Sequence, residues 1–315
     1  MESLFDSNIG ATDCYYRDIR DSSTNQTVRD FLETLWPKYK PYADTDFRKN
    51  IASTFYQCFW EMYLTCALLE QGCEVVPRAS REMPKRFGGP NAGPDVCLIH
   101  ASSKIWVEAV APERGTGKDA VPKDDLSPGP YILISEERFI LRYQNAIDEK
   151  NKKYEQYLRK CEQIPENLKE KWLNSSAPFV VAIHGGNLDV WPLSPEPEDE
   201  LPRIVKAVFP FGNRPIVFDP TTQDPILGEH RHRPYIMKKS KSLVSTKIFL
   251  DSQYKGISGI LFSKTKPQEV AEIKNSVFIF IHNPNAQNPL SIGWLPVYEE
   301  YWVENQRLVL KRQPN

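Results

Sequence analysis

The chain has 315 residues, of which 40% are hydrophobic and 11% aromatic, a composition that fits a packed globular protein and excludes a disordered one. The 40 basic and 41 acidic residues give a net charge of −1, so any binding to nucleic acid must use local basic patches. The six cysteines form no CxxC pair, which argues against a zinc ribbon and fits a reducing compartment. No run of about 18 apolar residues and no signal-peptide pattern is present, so we expect a cytoplasmic protein without a membrane partner.

The first part of the chain gives weak structural signals. Residues 1–45 are predicted to form an N-terminal lead-in, and the polar, punctuated segment 1–24 is expected to be loose. Within the lead-in, apolar residues at helical spacing predict a short helix over 27–39, and Pro37 is expected to end it or to follow closely after its end.

The strongest helical pattern follows over 46–71. Apolar residues recur there at helical spacing, and Gly72 supplies a stop signal. Glu61 lies inside this apolar stretch and is interpreted either as a partly exposed helix glutamate or as part of a site. A strand is predicted directly after the helix, at 74–76.

Two acidic residues interrupt the next predicted elements. Apolar runs at 96–99 and 105–107 flank a short polar turn, a pattern typical of a β-hairpin. Asp95 precedes the first run and Glu108 follows the second. Strands rarely hold carboxylates, because desolvating them is costly unless a partner compensates. A hairpin can place Asp95 beside Glu108, and a divalent cation commonly binds two converging carboxylates.

A long loop and a second long helix follow the hairpin. The loop over 111–134 is rich in glycine and proline, and a loop of this length tends to be functional or mobile. The helix is predicted over 135–161, with Lys150 on its apolar face and Lys153 at the edge of that face. A lysine on a buried face must extend to solvent or find an anion. A continuous apolar run at 179–184 then predicts a buried strand.

The hairpin residues resemble a known motif. Pro94-Asp95, twelve intervening residues and Glu108-Ala109-Val110 are similar to the motif of the PD-(D/E)XK nucleases. Val110 stands where that family has its lysine. The predicted order of helix, three strands, helix and strand is also the order of the nuclease core in that family.

The resemblance implies an α/β fold with a restriction-endonuclease-like core. Such a core has the order αβββαβ and a mixed central sheet flanked by helices. We place it at 46–190, with residues 191–315 as a β-rich C-terminal extension packed on the same sheet. Strands are predicted in the extension at 257–262 and 277–281, with a last strand towards the chain end.

The resemblance also implies a metal centre. Asp95, Glu108 and Glu61, with the main-chain carbonyl of Ala109, are expected to hold Mg²⁺ or Mn²⁺. A glutamate on the first helix joins the metal cluster in a number of families of this fold, which is the role expected for Glu61.

The missing strand lysine has a candidate replacement. Some nucleases of this class carry their catalytic lysine on the helix that follows the hairpin. Lys150 is the expected catalytic lysine here, and Lys153 is the second choice.

Basic residues cluster in two segments that are predicted to contact nucleic acid. One is the loop before Asp95, and the other, residues 230–255, has seven lysines or arginines against one acid. The predicted contacts in these segments are Arg78, Arg81, Lys85, Arg86, Arg231, Arg233, Lys238, Lys239 and Lys241, and Lys153 on the second long helix is a further predicted contact.

Three functions remain open from the sequence. The first is a metal-dependent nuclease that hydrolyses phosphodiester bonds, with DNA as the substrate that the resemblance implies. The second is a degenerate member of the fold that binds nucleic acid or a protein without cleavage. In the third, a structural or interaction module, Asp95 and Glu108 pair with arginines such as Arg78 or Arg142. The direction of Lys150 separates the first two, since a catalytic Lys150 must point at the two acids.

Overall fold

The computed structural model describes residues 2–81, 85, 88–89, 92–122, 134–169, 172–189, 200–219, 221–270 and 278–313. Within these residues the chain has an α/β fold in which a mixed eight-stranded sheet is flanked by helices. The helices are α1 (Cys14–Asp21), α2 (Gln26–Tyr39), α3 (Phe47–Ile51), α4 (Phe55–Glu70), α5 (Glu136–Glu162), α6 (Glu166–Lys169), α7 (Arg203–Val208) and α8 (Pro267–Val270). The strands are β1 (Glu74–Val75), β2 (Val96–His100), β3 (Ser103–Val110), β4 (Phe179–His184), β5 (Ile216–Phe218), β6 (Pro225–Leu227), β7 (Tyr235–Met237), β8 (Leu243–Ser245), β9 (Gly259–Ser263), β10 (Ile279–His282), β11 (Glu299–Glu304) and β12 (Arg307–Arg312).

The main sheet mixes parallel pairs (β3–β4, β4–β9 and β10–β11) with antiparallel pairs (β1–β2, β2–β3, β9–β10 and β11–β12). Its strand order is β1-β2-β3-β4-β9-β10-β11-β12, and β3, β4 and β9 run in the same direction. All six residues of β4 are buried, as expected for a strand that is covered on both faces. The C-terminal strands β9–β12 continue this sheet, while β5–β6 and β7–β8 form two separate hairpins.

Strand alternation divides the interior into two hydrophobic cores, one on each face of the sheet. On β3, Val107 and Ala109 belong to the core that contains α4. Trp106 and Val110 belong to the core that contains α5. Glu108 shares the face of Trp106 and Val110, so the sheet directs this acid towards α5.

The central elements follow the predicted order. Apart from a 3₁₀ turn at Arg78–Arg81 and the single-turn α6, the described elements over 55–184 are α4, β1, β2, β3, α5 and β4. The predicted helix over 135–161 is confirmed as α5. Acidic residues in its first turn and basic residues in its last turn complement the helix dipole.

The helix predicted over 27–39 is confirmed as α2, but Pro37 does not end it, and the helix predicted over 46–71 is not continuous. Pro37 lies inside α2, which continues to Tyr39. A proline removes one helical hydrogen bond, and the burial of Trp36 and Tyr39 compensates for this loss. The helix predicted over 46–71 is divided into α3 and α4, because the chain leaves the helical conformation at Thr54.

The prediction of a loose segment over 1–24 is also wrong. Helix α1 forms there, and the Asp13 side chain caps its first backbone N–H groups. Leu4 and Tyr16 are fully buried in the core that contains α4. The Glu33 carboxylate accepts the backbone N–H of Leu4 at 3.1 Å, which ties the start of the chain to α2. Long-range packing therefore orders a segment that has little apolar periodicity of its own.

Candidate active site at the open end of the hairpin

The hairpin register places Asp95 beside Glu108. Val96 pairs with Val107, so Asp95 and Glu108 are the next facing residues at the open end of β2 and β3. The backbone N–H of Ala109 donates to Asp95 Oδ2 at 2.8 Å. This hydrogen bond fixes the Asp95 carboxylate against β3, one residue from Glu108.

Three side chains of α5 hold the Glu108 carboxylate. Glu108 has no exposed surface. Lys150 Nζ lies 2.9 Å from Glu108 Oε1, and the Lys153 ammonium donates to the same oxygen. The hydroxyl of Tyr157 donates to Glu108 Oε2 at 3.0 Å. One buried acid therefore receives hydrogen bonds from two cations and a phenol.

Helical spacing explains why these three residues act together. Lys150, Lys153 and Tyr157 are three and four residues apart, which places them on one face of α5. Lys152 lies outside this face and is exposed. Lys150 contacts Glu108, one of the two acids at which a catalytic lysine was expected to point, and Lys153 makes the same contact.

Burial and neighbouring charges both shift the pKa values of Glu108 and Lys153. Burial and the nearby charge of Asp95 raise the pKa of Glu108, and the ammonium groups of Lys150 and Lys153 oppose this rise. Burial by itself lowers the pKa of Lys153, but the charges of Glu108 and Asp95 reverse this and leave the pKa raised. Lys153 is therefore a stable cation beside the two carboxylates.

Glu61 approaches the site from α4 on the other face of the sheet. Gln57, one turn earlier, donates from Nε2 to Glu61 Oε1 at 2.8 Å and to the carbonyl of Ala109 at 3.2 Å. Gln57 Oε1 accepts the N–H of Ala111 at 2.9 Å. Burial, followed by the charge of Asp95, raises the pKa of Glu61 to about 8. Gln57 thus ties α4 to β3, a role that sequence analysis missed although its spacing from Glu61 is one helical turn.

Arg78 and Arg81 support Asp95 from inside the protein. Both arginines are buried, with 4% and 5% of their surface exposed. Arg78 Nη2 lies 3.6 Å from Asp95 Oδ1, and its Nε lies 2.9 Å from Asp44 Oδ1. Arg81 donates to the main-chain carbonyls of Pro94 and Asp95 at 2.6 and 2.8 Å. Because both arginines are buried, they do not suit the phosphate contacts predicted for them. One of the two site acids, Asp95, has an arginine partner, Arg78.

The other predicted nucleic-acid contacts are dispersed. Arg233 pairs with Glu136 and Glu137 at the start of α5, at 3.0 and 3.6 Å. Arg86 lies outside the described residues. Three lysines follow β7 at the tip of the β7–β8 hairpin, where the backbone N–H of Lys239 donates to Asp119 Oδ1 at 2.8 Å. Exposure varies among the remaining predicted contacts: Lys85, Arg231, Lys239 and Lys241 are exposed, and Lys238 is half-buried.

The oxygen donors of the site match Mg²⁺ or Mn²⁺ in kind. Asp95 raises the pKa of both Glu61 and Glu108 by its charge, so the three acids lie within electrostatic reach of one another. Hard carboxylate and carbonyl oxygens are the ligands that these ions prefer. In the described part of the chain, however, no three His, Cys, Asp or Glu side chains form a group arranged to hold a metal ion. Glu108 Oε1 is shared by two lysines, and the Ala109 carbonyl is bonded to Gln57.

Similarity to known proteins does not identify this site. No family model, curated protein or solved structure matches the chain. No helix in the described residues is long and apolar enough to cross a membrane. The site itself combines a fixed aspartate, a buried glutamate and two lysines at the end of a sheet.

Proposed function

We propose that the chain is a metal-dependent nuclease that hydrolyses phosphodiester bonds of nucleic acid, with DNA as the expected substrate. The observation that carries this proposal is the contact of Lys150 and Lys153 with Glu108, beside Asp95. Val110 occupies the strand position where the motif has a lysine. These two lysines of α5 place a positive charge beside the carboxylate pair instead. The element order α4, β1, β2, β3, α5 and β4 supports a restriction-endonuclease-like core.

Each side chain has a defined part in the proposed reaction. Hydrolysis forms a bond from a water oxygen to phosphorus and breaks the bond to the leaving oxygen, which gains a proton. Asp95 and Glu108 would hold the divalent cation, which would supply an activated water and polarise the phosphoryl group. Lys150 places a positive charge beside these acids, where it stabilises the negative charge that develops on the phosphate oxygens. Arg78 and the Ala109 N–H fix the Asp95 carboxylate.

A degenerate binding module is the second candidate. It is favoured by the three donors on Glu108 and by Val110 in the lysine position. In that case Lys150 and Lys153 neutralise a buried acid and take no part in chemistry. Binding of nucleic acid without metal-dependent cleavage is the property that distinguishes this candidate.

Cleavage of plasmid DNA, single-stranded DNA and RNA with Mg²⁺, with Mn²⁺ and with a chelator tests the proposal. We expect metal-dependent cleavage by the wild type and a loss of at least about a hundredfold in Asp95→Asn and Glu108→Gln. Glu155→Gln is the matched control, because Glu155 is an exposed acid on α5 outside the site. Cleavage at the wild-type rate in Asp95→Asn would refute the assignment of the site. Absence of cleavage on every substrate, together with metal-independent binding, would leave the binding module.

A further inference from the structure

A cavity of about 390 Å³ opens beside the proposed catalytic centre. It lies between α5 and the segment that follows β3, and its walls include Val110, Ala111, Arg142 and Lys150. Gln57 also lines it, but its amide is already bonded to Glu61, Ala109 and Ala111. The cavity therefore shares Lys150 with the site and extends from it along α5 towards Arg142.

The second cation that lines the cavity, besides Lys150, is Arg142. Among the residues that the structure describes, no carboxylate lies within salt-bridge distance of its guanidinium, and its Nε is buried without a hydrogen-bond partner. This contrasts with Arg78, Arg81 and Arg233, which bond to protein groups. A guanidinium that is half-buried and unpaired can bind a phosphate through several N–H groups.

The backbone is shaped to admit this guanidinium. Gly115 has a φ of +77°, and a Cβ there would lie 2.0 Å from Arg142 Nη1. Gly117 has nearly the same φ, +75°, but a Cβ there would meet nothing within 4 Å. The two glycines therefore share a conformation, and Gly115 alone of the pair makes room for Arg142.

The acidic residues that line the cavity are more exposed than the basic ones. Its acidic residues, Glu113 and Glu149, are exposed at the rim, where solvent screens them. Arg142 and Lys150 are less exposed than these acids. Because Lys150 is already paired with Glu108, the charge that favours an anion in the interior is that of Arg142. The rim and the exposed Asn145 offer hydrogen-bonding groups of both kinds.

We propose that this cavity binds one nucleotide of a single strand next to the scissile phosphate, with Arg142 contacting its phosphate. The inference rests on the proposed function. The volume lies near the lower end of cavities that hold a small organic ligand, which suits one unstacked nucleotide and not a base-paired duplex. Single strands present such nucleotides without the cost of unpairing.

The test measures binding of a fluorescent single-stranded oligonucleotide to the full chain in a chelator, so that cleavage plays no part. We expect Arg142→Gln to bind about tenfold more weakly, with the slope of log affinity against log salt smaller by about 0.7. Arg142→Lys keeps the charge, so it should keep the salt slope and lose only part of the affinity. Gly115→Ala should behave like Arg142→Gln, while Gly117→Ala should bind like the wild type.

Arg159→Gln is the charge-matched control, because Arg159 is exposed in the last turn of α5 and outside the cavity. Wild-type affinity and salt slope in Arg142→Gln would overturn the inference whether or not the chain cleaves nucleic acid. Equal affinity for the duplex of the same sequence would overturn the preference for a single strand. Failure of the cleavage assay alone would refute the nuclease and leave an Arg142-dependent binding site intact.

Discussion

At the scale of the residue, the site depends on the hydrogen bonds and positive charges that stabilise one buried carboxylate, that of Glu108. Glu108 has no contact with solvent, and its oxygens accept hydrogen bonds from Lys150, Lys153 and Tyr157. Removing a partner from a buried charge leaves an acceptor unsatisfied, which costs more than the hydrogen bond itself contributes. The partners of Glu108 should therefore be sensitive positions, and their neighbours on α5 should not.

Tyr157→Phe should lower the free energy of unfolding by about 1.5 kcal/mol, because it removes the donor to Glu108 Oε2. Urea denaturation measures this change. Tyr154→Phe is the matched control on the same helix, since the Tyr154 hydroxyl is buried and has no hydrogen-bond partner among the described residues. We expect the control to be neutral or slightly stabilising, and an equal loss in both variants would contradict this description of the Glu108 site.

Glu61 should make stability depend on pH. Its pKa is raised from 4.5 to about 8, so the folded protein binds this proton more tightly than the unfolded chain. The stability it contributes is complete below the unfolded pKa and is lost as the pH rises through about 8. Wild type should therefore lose stability relative to Glu61→Gln between about pH 5 and about pH 9, as thermal unfolding at each pH would measure. A constant difference across this range would show that Glu61 titrates normally.

Part of the site could be predicted from single residues. Lys150 on an apolar helix face needs an anion or a path to solvent, and the resemblance to the nucleases indicated that the anion is the pair of Asp95 and Glu108. Tyr157 and Gln57 were missed because their partners lie 49 and 52 residues away in the sequence, and no local pattern marks them. Arg78 was misread because a basic loop residue and a buried ion-pair residue look alike without the fold.

At the scale of the element, the β2–β3 hairpin positions the two acids. Its two turn residues, Ala101 and Ser102, have φ values of 47° and 64°. A two-residue turn of this kind suits the twist of a hairpin, but positive φ is unfavourable for residues other than glycine, asparagine and aspartate. Strand pairing therefore fixes the register that aligns Asp95 with Glu108, although the backbone conformation of the turn is unfavourable.

Replacing the turn by Ala101→Asn with Ser102→Gly should stabilise the protein by about 0.5–1 kcal/mol, because these residues adopt positive φ more readily. Chemical denaturation measures the gain. Gln306→Gly in the β11–β12 turn, where Gln306 has a φ of 62°, should act in the same direction away from the site. A loss of stability in the first variant would show that the Ala101 and Ser102 side chains make contacts that outweigh their backbone strain.

Elements with a clear local pattern of apolar residues could be predicted from the sequence. Elements that are ordered by contacts with distant parts of the chain could not. Helix α5 and the buried strand β4 carry their patterns within a continuous segment. Helix α1 instead depends on burial of Tyr16 and on the Glu33 contacts at the start of the chain. Such pairings join segments that are far apart in sequence, so local propensity does not indicate them.

At the scale of the molecule, the mixed sheet separates two cores and places the site where its faces meet at one end. Helix α4 brings Glu61 and Gln57 from one side, and α5 brings Lys150 and Lys153 from the other. Asp95 and Glu108 lie between these two groups on the hairpin. With a net charge of −1 the whole molecule does not attract nucleic acid, so this local arrangement must supply the binding.

The rate of metal-dependent cleavage by Lys150→Ala, compared with Lys152→Ala, tests the central claim most directly. Both variants remove one lysine from the same turn of α5, but only Lys150 of the two contacts Glu108 among the described residues. We expect Lys150→Ala to cleave at least about a hundredfold more slowly than wild type and Lys152→Ala to match it. Equal rates in the two variants, or no metal-dependent cleavage by the wild type, would contradict the account.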